Sequence, residues 1–298
     1  MNLPLVSVCM PVYNGEKYIQ SALSCLLNQT YKNIELIISD NASTDSTEAI
    51  CRSYENIDSR ISYFRNSTNT GMARNFNRVI ELAKGDYIMM AANDDLWDLT
   101  YIEKCVNKLE QNPNAAFCIS QTDFIDGEGN NIGDKHWIDT SNFDYSNRVL
   151  TVFSDWLVWG IYRTEALRKT RGLQETIAND FPLRLEILLL GDVIVVDEKL
   201  MTFRFWQKEY NYISQYLISE ELKDQINNSP MTSILKEYNL GINHSPIDVQ
   251  KKNDVKNIIY SYVVSSDVHV QTIINENAAL LQDKDRQYVH DFIRNIFY

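Results

Sequence analysis

The chain lacks the residue patterns that mark a metal cage or a disulfide scaffold. Its four histidines (His136, His244, His269, His290) are dispersed, so no zinc-type cluster is visible. Its five cysteines, at 9, 25, 51, 105 and 118, have no paired spacing and an odd count. They lie mostly in apolar segments and read as buried reduced thiols, the state expected in a cytoplasm. No apolar run approaches the ~20 residues that span a bilayer, and no basic region precedes the first short apolar run. Neither a membrane span nor a signal peptide is therefore expected. There is no Gly/Ser or Pro linker, no internal repeat and no low-complexity tract. A basic excess is missing as well. The net charge of −12 argues against a nucleic-acid partner and against simple docking on anionic lipid.

What is present is a globular profile. Of 298 residues, 44% are hydrophobic and 23% charged, enough for one large domain or a domain with an appendage. Up to about residue 120, short apolar runs alternate with helical patterns. Strands are expected at 5–10, 34–39, 61–64, 86–90 and 116–120. Helices are expected over 16–27, after Asp45, and over 72–83 and 99–111. Asp45 with Glu48 three positions on has the form of a capping box. Lys84-Gly85 closes one helix and Pro113 blocks another. Helices between strands predict a parallel sheet. A hairpin with a Gly/Asn turn follows at 124–132, then a short helix at 164–169, a helix at 180–190, and strands at 193–196 and 199–205. Beyond about Tyr210 strand signals vanish. Apolar residues recur there at helical spacing in 231–239, 248–264, 268–282 and 284–297. Two domains are expected, an α/β domain over 1–209 and a helical region over 210–298, packed on it or at an oligomer interface.

The strand ends carry the chemistry. Tyr87-Ile88-Met89-Met90 runs into Asn93-Asp94-Asp95, and two crowded carboxylates repel unless they share a cation. Hard oxygen ligands select Mg²⁺ or Mn²⁺, ions that usually also hold substrate phosphates. The alternative is a helix N-cap before Leu96-Trp97. The run 34–39 ends in Asp40-Asn41, and the first strand ends in Pro11-Val12-Tyr13-Asn14-Gly15. In parallel sheets such ends converge where ligands bind.

These residues resemble the inverting family 2 glycosyltransferases, which have the GT-A fold. The likeness begins at Pro11-Val12-Tyr13-Asn14-Gly15-Glu16-Lys17-Tyr18-Ile19. It continues through Gln29-Thr30-Tyr31-Lys32-Asn33-Ile34-Glu35, Asp40-Asn41-Ala42-Ser43-Thr44-Asp45, Asn69-Thr70-Gly71-Met72-Ala73-Arg74-Asn75 and the cluster at 93–95. A weaker match follows in Asn179 to Leu185, Gly191 and Phe203-Arg204. The ordered motifs cover roughly residues 3 to 206.

The resemblance implies a GT-A type, Rossmann-like, mostly parallel sheet flanked by helices, a nucleotide-sugar donor, and a Mg²⁺ or Mn²⁺ ion. It places the metal on Asp95, and the donor sugar or ribose near Asp94 and Asn93, where the family usually has Asp in place of Asn93. Asp40 matches the carboxylate that reads the base, usually uracil, with an Asx turn as its structural alternative. Pro11 and Tyr13 match residues lining the base, and Arg74 an arginine near base and phosphate, which could equally be a solvated helical arginine. Asp180 matches the catalytic base and also suits a helix N-cap. Asp123 and Asp126 are the next carboxylates in line. Trp156, Trp159 and Gly160 lie where the family forms its acceptor floor, although aromatics at such spacing are more often core. Arg204, followed by Phe205-Trp206-Gln207, stands where many relatives carry a histidine. It could neutralise diphosphate charge or be an edge-strand cation.

Two functions of different class follow. One is a metal-dependent inverting glycosyltransferase of the hexosyltransferase type, in the cytoplasm or at the inner face of the membrane, moving a sugar from a UDP-sugar to a glycan or lipid-linked acceptor in polysaccharide biosynthesis. The other is a non-catalytic nucleotide-sugar or carbohydrate-binding partner subunit on the same fold. A nucleotidyltransferase needs a Gly-rich basic loop, and residues 10–20 hold one Gly and one Lys. Lys251, Lys252 and Lys256 beside Ile258, Ile259 and Tyr260 fit either a helix lying on a membrane or a solvated face. Homo-oligomerisation through the C-terminal helices is a further expectation.

Overall fold

The computed structural model describes residues 3–133, 149, 159–176, 179–205, 230–276 and 286–298. Those residues fall into two compact units. The first takes the described residues within 1–140, 157–167 and 191–210, and the second those within 141–156, 168–190 and 211–298. The expected cut at 209 lies outside the described residues. The units also interleave, because 168–190 joins the C-terminal helices.

The first unit is built on β1 (Val6–Val12), β2 (Ile34–Asp40), β3 (Ile61–Arg65) and β4 (Tyr87–Met90), joined by α1 (Ile19–Leu27), α2 (Thr47–Ile57) and α3 (Met72–Leu82). All four strands are parallel, as continuous apolar runs between helices require. β5 (Leu96–Trp97), α4 (Tyr101–Gln111), β6 (Ala115–Ile125), β7 (Ile161–Arg163), α5 (Thr164–Leu167) and β8 (Asp192–Arg204) complete it. The sheet order is β3-β2-β1-β4-β7-β6-β8-β5. β7 pairs antiparallel with both β4 and β6, and β5 antiparallel with β8, so the sheet is mixed.

Three local readings change. The acidic cluster does not cap a helix, because Leu96 and Trp97 pair with Thr202 and Met201. α4 begins only at Tyr101, after Asp98 accepts from the Thr100 N–H at 2.8 Å. The two strands expected at 193–196 and 199–205 are one, β8, which crosses Asp197-Glu198 because register shifts in the β6 pairing absorb the irregularity. The capping box at Asp45 is half made. Asp45 accepts from the Thr47 N–H, while Glu48 pairs with Arg52 and Arg65.

Val8, Met10, Leu36, Ile38 and Met89 put a buried core under the sheet, against Ile19, Leu23 and Leu26 of α1. Gly160 lets the chain enter β7, since a Cβ there would collide with the Phe117 ring and meet the Cys118 carbonyl at 2.6 Å. All five cysteines are free thiols and four are buried, as expected.

The second unit contains α6 (Asp180–Leu190), α7 (Pro230–His244), α8 (Val249–Ser265), α9 (Asp267–Glu276) and α10 (Arg286–Phe297). The four C-terminal helices pack on one another, burying Ile242, Val255, Ile259, Val263, Ile273, Ile293 and Phe297. α6 and α7 share an ion network. Arg171 donates through Nε to Glu186 Oε1 at 2.7 Å and through Nη1 to Glu237 Oε2 at 2.8 Å. Gly241 leaves room for it, since a Cβ there would meet Glu186 Oε1 at 2.8 Å. Two of the three lysines are used locally. Lys252 Nζ donates to the Asn243 carbonyl at 2.7 Å, and Lys256 lies 6.0 Å from the Tyr298 ring centroid. No described helix is long and apolar enough to cross a membrane.

Candidate active site

Two loops at the carboxyl ends of β1 and β2 are stitched together. The Asn14 N–H donates to Ser43 Oγ (2.9 Å) and the Gly15 N–H to Thr47 Oγ1 (2.8 Å). In return the Thr44 N–H donates to Asn14 Oδ1 (2.8 Å), and the Ser46 N–H to Glu16 Oε2 (2.9 Å). Asn14 (φ 51°) and Ala42 (φ 63°) both take the left-handed conformation, and Ala42 has no side-chain polar group to favour it. Strain of this kind persists only where its surroundings hold it, and it clusters at ligand clamps. The clasp holds Tyr13 half exposed at the rim, above the buried Pro11.

Asp40 ends β2 and is wholly buried. Its Oδ1 accepts from the Ser43 N–H at 2.8 Å. Its Oδ2 accepts from Tyr63 Oη at 2.5 Å and Arg65 Nη1 at 2.7 Å. Both oxygens are thus engaged by the protein. Burial and the bond to Asp40 push the Tyr63 hydroxyl above its ordinary range. Tyr63 and Arg65 escaped the sequence analysis. Their signal is the register, in which Asp40 pairs with Arg65 across parallel strands.

Beside it lies a buried amide network. Asn41 Oδ1 accepts from Asn66 Nδ2 (2.9 Å) and the Thr70 N–H (2.9 Å), while its Nδ2 donates to Asn69 Oδ1 (2.7 Å). Asn75 Oδ1 accepts from Ser39 Oγ (2.7 Å) and Asn66 Nδ2 (3.1 Å). Buried polar groups of this kind rigidify when satisfied. The network fixes the start of α3, where Arg74 lies exposed in the first turn.

The cluster at 93–95 follows β4. Asn93 is pressed against the β1 loop, since a Cβ on Gly15 would sit 2.6 Å from Asn93 Nδ2. Asp94 is partly exposed and Asp95 buried. The Arg204 main-chain N–H donates to Asp95 Oδ1 at 2.9 Å. Asp95 Oδ2 is buried and has no hydrogen-bond partner among the described residues. Burial, then repulsion from Asp94, holds the Asp95 carboxyl well above the usual carboxylate range, against the opposing pull of Arg204. Gln29 supports the far side, donating to the Asp98 carbonyl (2.7 Å) and accepting from the Ile102 N–H (3.0 Å).

These residues fit a divalent cation in one respect. Asp95 Oδ2 is an orphaned hard donor beside a second carboxylate, and an ion held with substrate phosphates needs only one or two protein carboxylates. No group of three or more His, Cys, Asp or Glu able to hold a metal occurs among the described residues.

The other candidates are placed as follows. Arg204 is buried and turned into the protein, with Nε on the Asp94 carbonyl and Nη1 on the Asp126 carbonyl, both at 3.0 Å. Trp159 packs against Phe76, ring centroids 5.9 Å apart, in keeping with a core role. Asp123 pairs with Lys199 at 2.8 Å. Asp126 closes its own turn, and the bond from Asn130 holds its carboxyl below the usual range. Asp180 belongs to the second unit. It heads α6, keeps a partly exposed side chain and pairs with Arg184 Nη2 at 3.3 Å. Trp156, Trp206 and Gln207 lie outside the described residues.

Comparison with known proteins bears on this arrangement. An uncharacterized glycosyltransferase of Haemophilus influenzae is 41% identical over 138 residues, covering 44% of this chain and 52% of that protein. The chain therefore spans about half the length of that relative. Among solved structures, Staphylococcus aureus TarS 1–349 in complex with UDP-GlcNAc superposes with a TM-score of 0.67 at 15% identity, covering 99% of this chain and 88% of that one. The mannosyltransferase PcManGT of Pyrobaculum calidifontis, in complex with GDP-Man and Mn²⁺, gives 0.55 at 14% identity, covering 99% and 86%. At such identity these two likenesses speak for the fold, which is of GT-A type. The family described as Glycosyl transferase family 2 matches residues 7–176, more than half of the chain, and the chain belongs to that family.

Proposed function

We propose that this chain moves a sugar from a nucleoside diphosphate sugar to an acceptor hydroxyl, with inversion at the transferred carbon. The observation that carries the reading is Asp95 Oδ2, a buried carboxylate oxygen without a hydrogen-bond partner among the described residues, beside Asp94 in the segment that follows β4. The clasped loops at 13–16 and 41–46 and the start of α3 supply the rest of a donor mouth, with Pro11 and Tyr13 toward the base and Arg74 toward the phosphates. Asp94 and Asn93 are assigned to the ribose or donor sugar. UDP is the preferred nucleotide, supported by the TarS complexes with UDP and UDP-GlcNAc. In this reading Asp40 serves the base indirectly, by setting the 43–46 loop.

Asp95, with Asp94 beside it, would hold Mg²⁺ or Mn²⁺. When bound, the ion supplies Lewis-acid stabilisation of the charge that grows on the departing diphosphate. Asp180 is the proposed base. As the acceptor oxygen bonds to the anomeric carbon, the hydroxyl proton passes to the Asp180 carboxylate, and the electron pair of the breaking carbon–oxygen bond leaves with the diphosphate. A carboxylate at a helix start is oriented, and this one keeps a partly exposed side chain with Arg184 Nη2 3.3 Å away. The same proposal assigns donor binding to residues 1–209 and leaves 210–298 to the acceptor, a glycan or lipid-linked saccharide, or to self-association.

A panel of nucleotide sugars incubated with Mn²⁺ tests the reading. Metal-dependent hydrolysis of one UDP-sugar, abolished by EDTA, is the expected result. Binding of nucleotide with no turnover of any sugar nucleotide, with or without a glycan acceptor, would count for a partner subunit instead.

A further inference from the structure

Arg204 stands at the end of β8, and its guanidinium touches three separate segments, none through a carboxylate. Nε donates to the Asp94 carbonyl and Nη1 to the Asp126 carbonyl, each at 3.0 Å. The guanidinium carbon lies 4.3 Å from the centroid of the Tyr18 ring, at the entry to α1. Tyr18 Oη in turn donates to the Gly127 carbonyl at 2.7 Å, so ring and guanidinium grip the same turn from two sides. The residue's own N–H occupies Asp95 Oδ1. One residue thus links the strand end at 94–95, the 126–127 turn and the start of α1.

We propose that Arg204 is a positioning residue: it holds the acidic strand end in the geometry that leaves Asp95 Oδ2 uncommitted among the described residues. It acts on the cation through Asp95 and the 94–95 backbone. This rests on the reading of Asp95 as the cation ligand. The chemistry explains why arginine stands here. A planar fork can hold two carbonyls and stack on a ring at once, whereas an ammonium offers a point charge and no plane. The buried position and the two carbonyl bonds turn its charge toward the protein rather than toward a diphosphate.

The test uses the full chain and four variants: Arg204→Met, Arg204→Lys, Tyr18→Leu and Tyr18→Phe. Mn²⁺ binding is followed by electron paramagnetic resonance with and without UDP, and backbone exchange by deuterium uptake over 91–97 and 124–132. Loss of the residues that orient a ligand typically weakens metal binding about 10–100-fold. Arg204→Met and Arg204→Lys should both fall in that range, without UDP as well as with it, and both should exchange faster at 94–97 and 126–132. Tyr18→Leu should show the same pattern more mildly. Tyr18→Phe keeps the ring and should bind Mn²⁺ like the parent. Recovery of affinity in Arg204→Lys, or a defect seen only with UDP, would make Arg204 a phosphate contact and overturn the proposal. So would unchanged exchange in Arg204→Met. If Arg204→Met does not fold, Tyr18→Leu decides by the same two readouts. If the parent takes up no Mn²⁺, the cation reading itself fails, and exchange at 94–97 alone decides whether Arg204 holds the strand end.

Discussion

Asp40 and Arg65 face each other across the ends of β2 and β3, with Arg65 Nη1 2.7 Å from a carboxylate that solvent does not reach. Arg65 also donates to the Ser43 carbonyl at 2.9 Å, so the pair closes the loop that carries the clasp to the β1 end. Asp40→Asn should therefore lower stability by about 1–3 kcal/mol in urea unfolding, as expected for breaking buried, charge-assisted bonds. The partial exposure of Arg65 keeps the loss below that of a wholly buried pair. A change under about 0.5 kcal/mol, the scatter of neutral surface substitutions, would remove Asp40 as the anchor of that loop.

Asp95 should make the metal-free protein sensitive to pH. Its folded carboxyl is held above the ordinary value, so the unfolded chain gives up the proton first. The native state then loses stability as pH rises above the unfolded value of about 3.9. Asp95→Asn should thus be the more stable protein at pH 7 without metal, and the two should converge near pH 4. Adding Mn²⁺ and UDP should raise the parent's melting temperature and leave the variant's unchanged. A variant less stable than the parent at pH 7 without metal would contradict the buried charge.

Gly15→Ala puts a methyl group 2.6 Å from Asn93 Nδ2 and 2.7 Å from Val12 Cγ2. Asn93, assigned by the proposal to the ribose or donor sugar, must then move. The protein should still fold, and calorimetry should find UDP binding weaker by about tenfold, equivalent to 1.4 kcal/mol. Unaltered affinity would separate Asn93 from the donor.

Asp180→Asn should bind UDP as the parent does and lose about 10²–10⁴ of its transfer rate. The amide preserves the size of the side chain at the head of α6 but not the charge opposite the buried Arg184, so a folded protein of somewhat lower stability should accompany the loss. Near-normal transfer would move the base elsewhere, and Asp123, paired with Lys199, would be examined first.

The parallel strands were legible because Val6–Val12, Ile34–Asp40 and Tyr87–Met90 are mostly apolar runs with helices between them, and α6 because 180–190 is strongly apolar and stops at Gly191. β7 was not. Three residues are too few to show alternation, and its antiparallel pairing is decided by β4 and β6 on either side. Leu96-Trp97 resembled a helix start because the pairing partner lies more than a hundred residues away in β8. The site divides in the same way. The carboxylates at the strand ends are visible as a pattern, but Tyr18, Tyr63, Arg65 and Arg204 enter only through contacts distant in sequence. Arg204 in particular offered a charge, and no periodicity reveals that the charge faces inward.

The ion network of Arg171, Glu186 and Glu237 limits how this chain can be recombined with its relatives. Glu237 lies beyond residue 209 and the other two before it, so a chimera joined at that boundary keeps the Arg171–Glu186 pair and loses Glu237. Arg171 would then face a stranger's helix with one of its two carboxylates missing, and a largely buried charge that loses a partner is harder to tolerate than an exposed one. Gly241 adds a steric condition, since any larger residue there collides with Glu186. A transplanted C-terminal region should function only if it brings its own counterparts of 168–190, which makes that stretch and the terminal helices a single heritable module interrupted by β8.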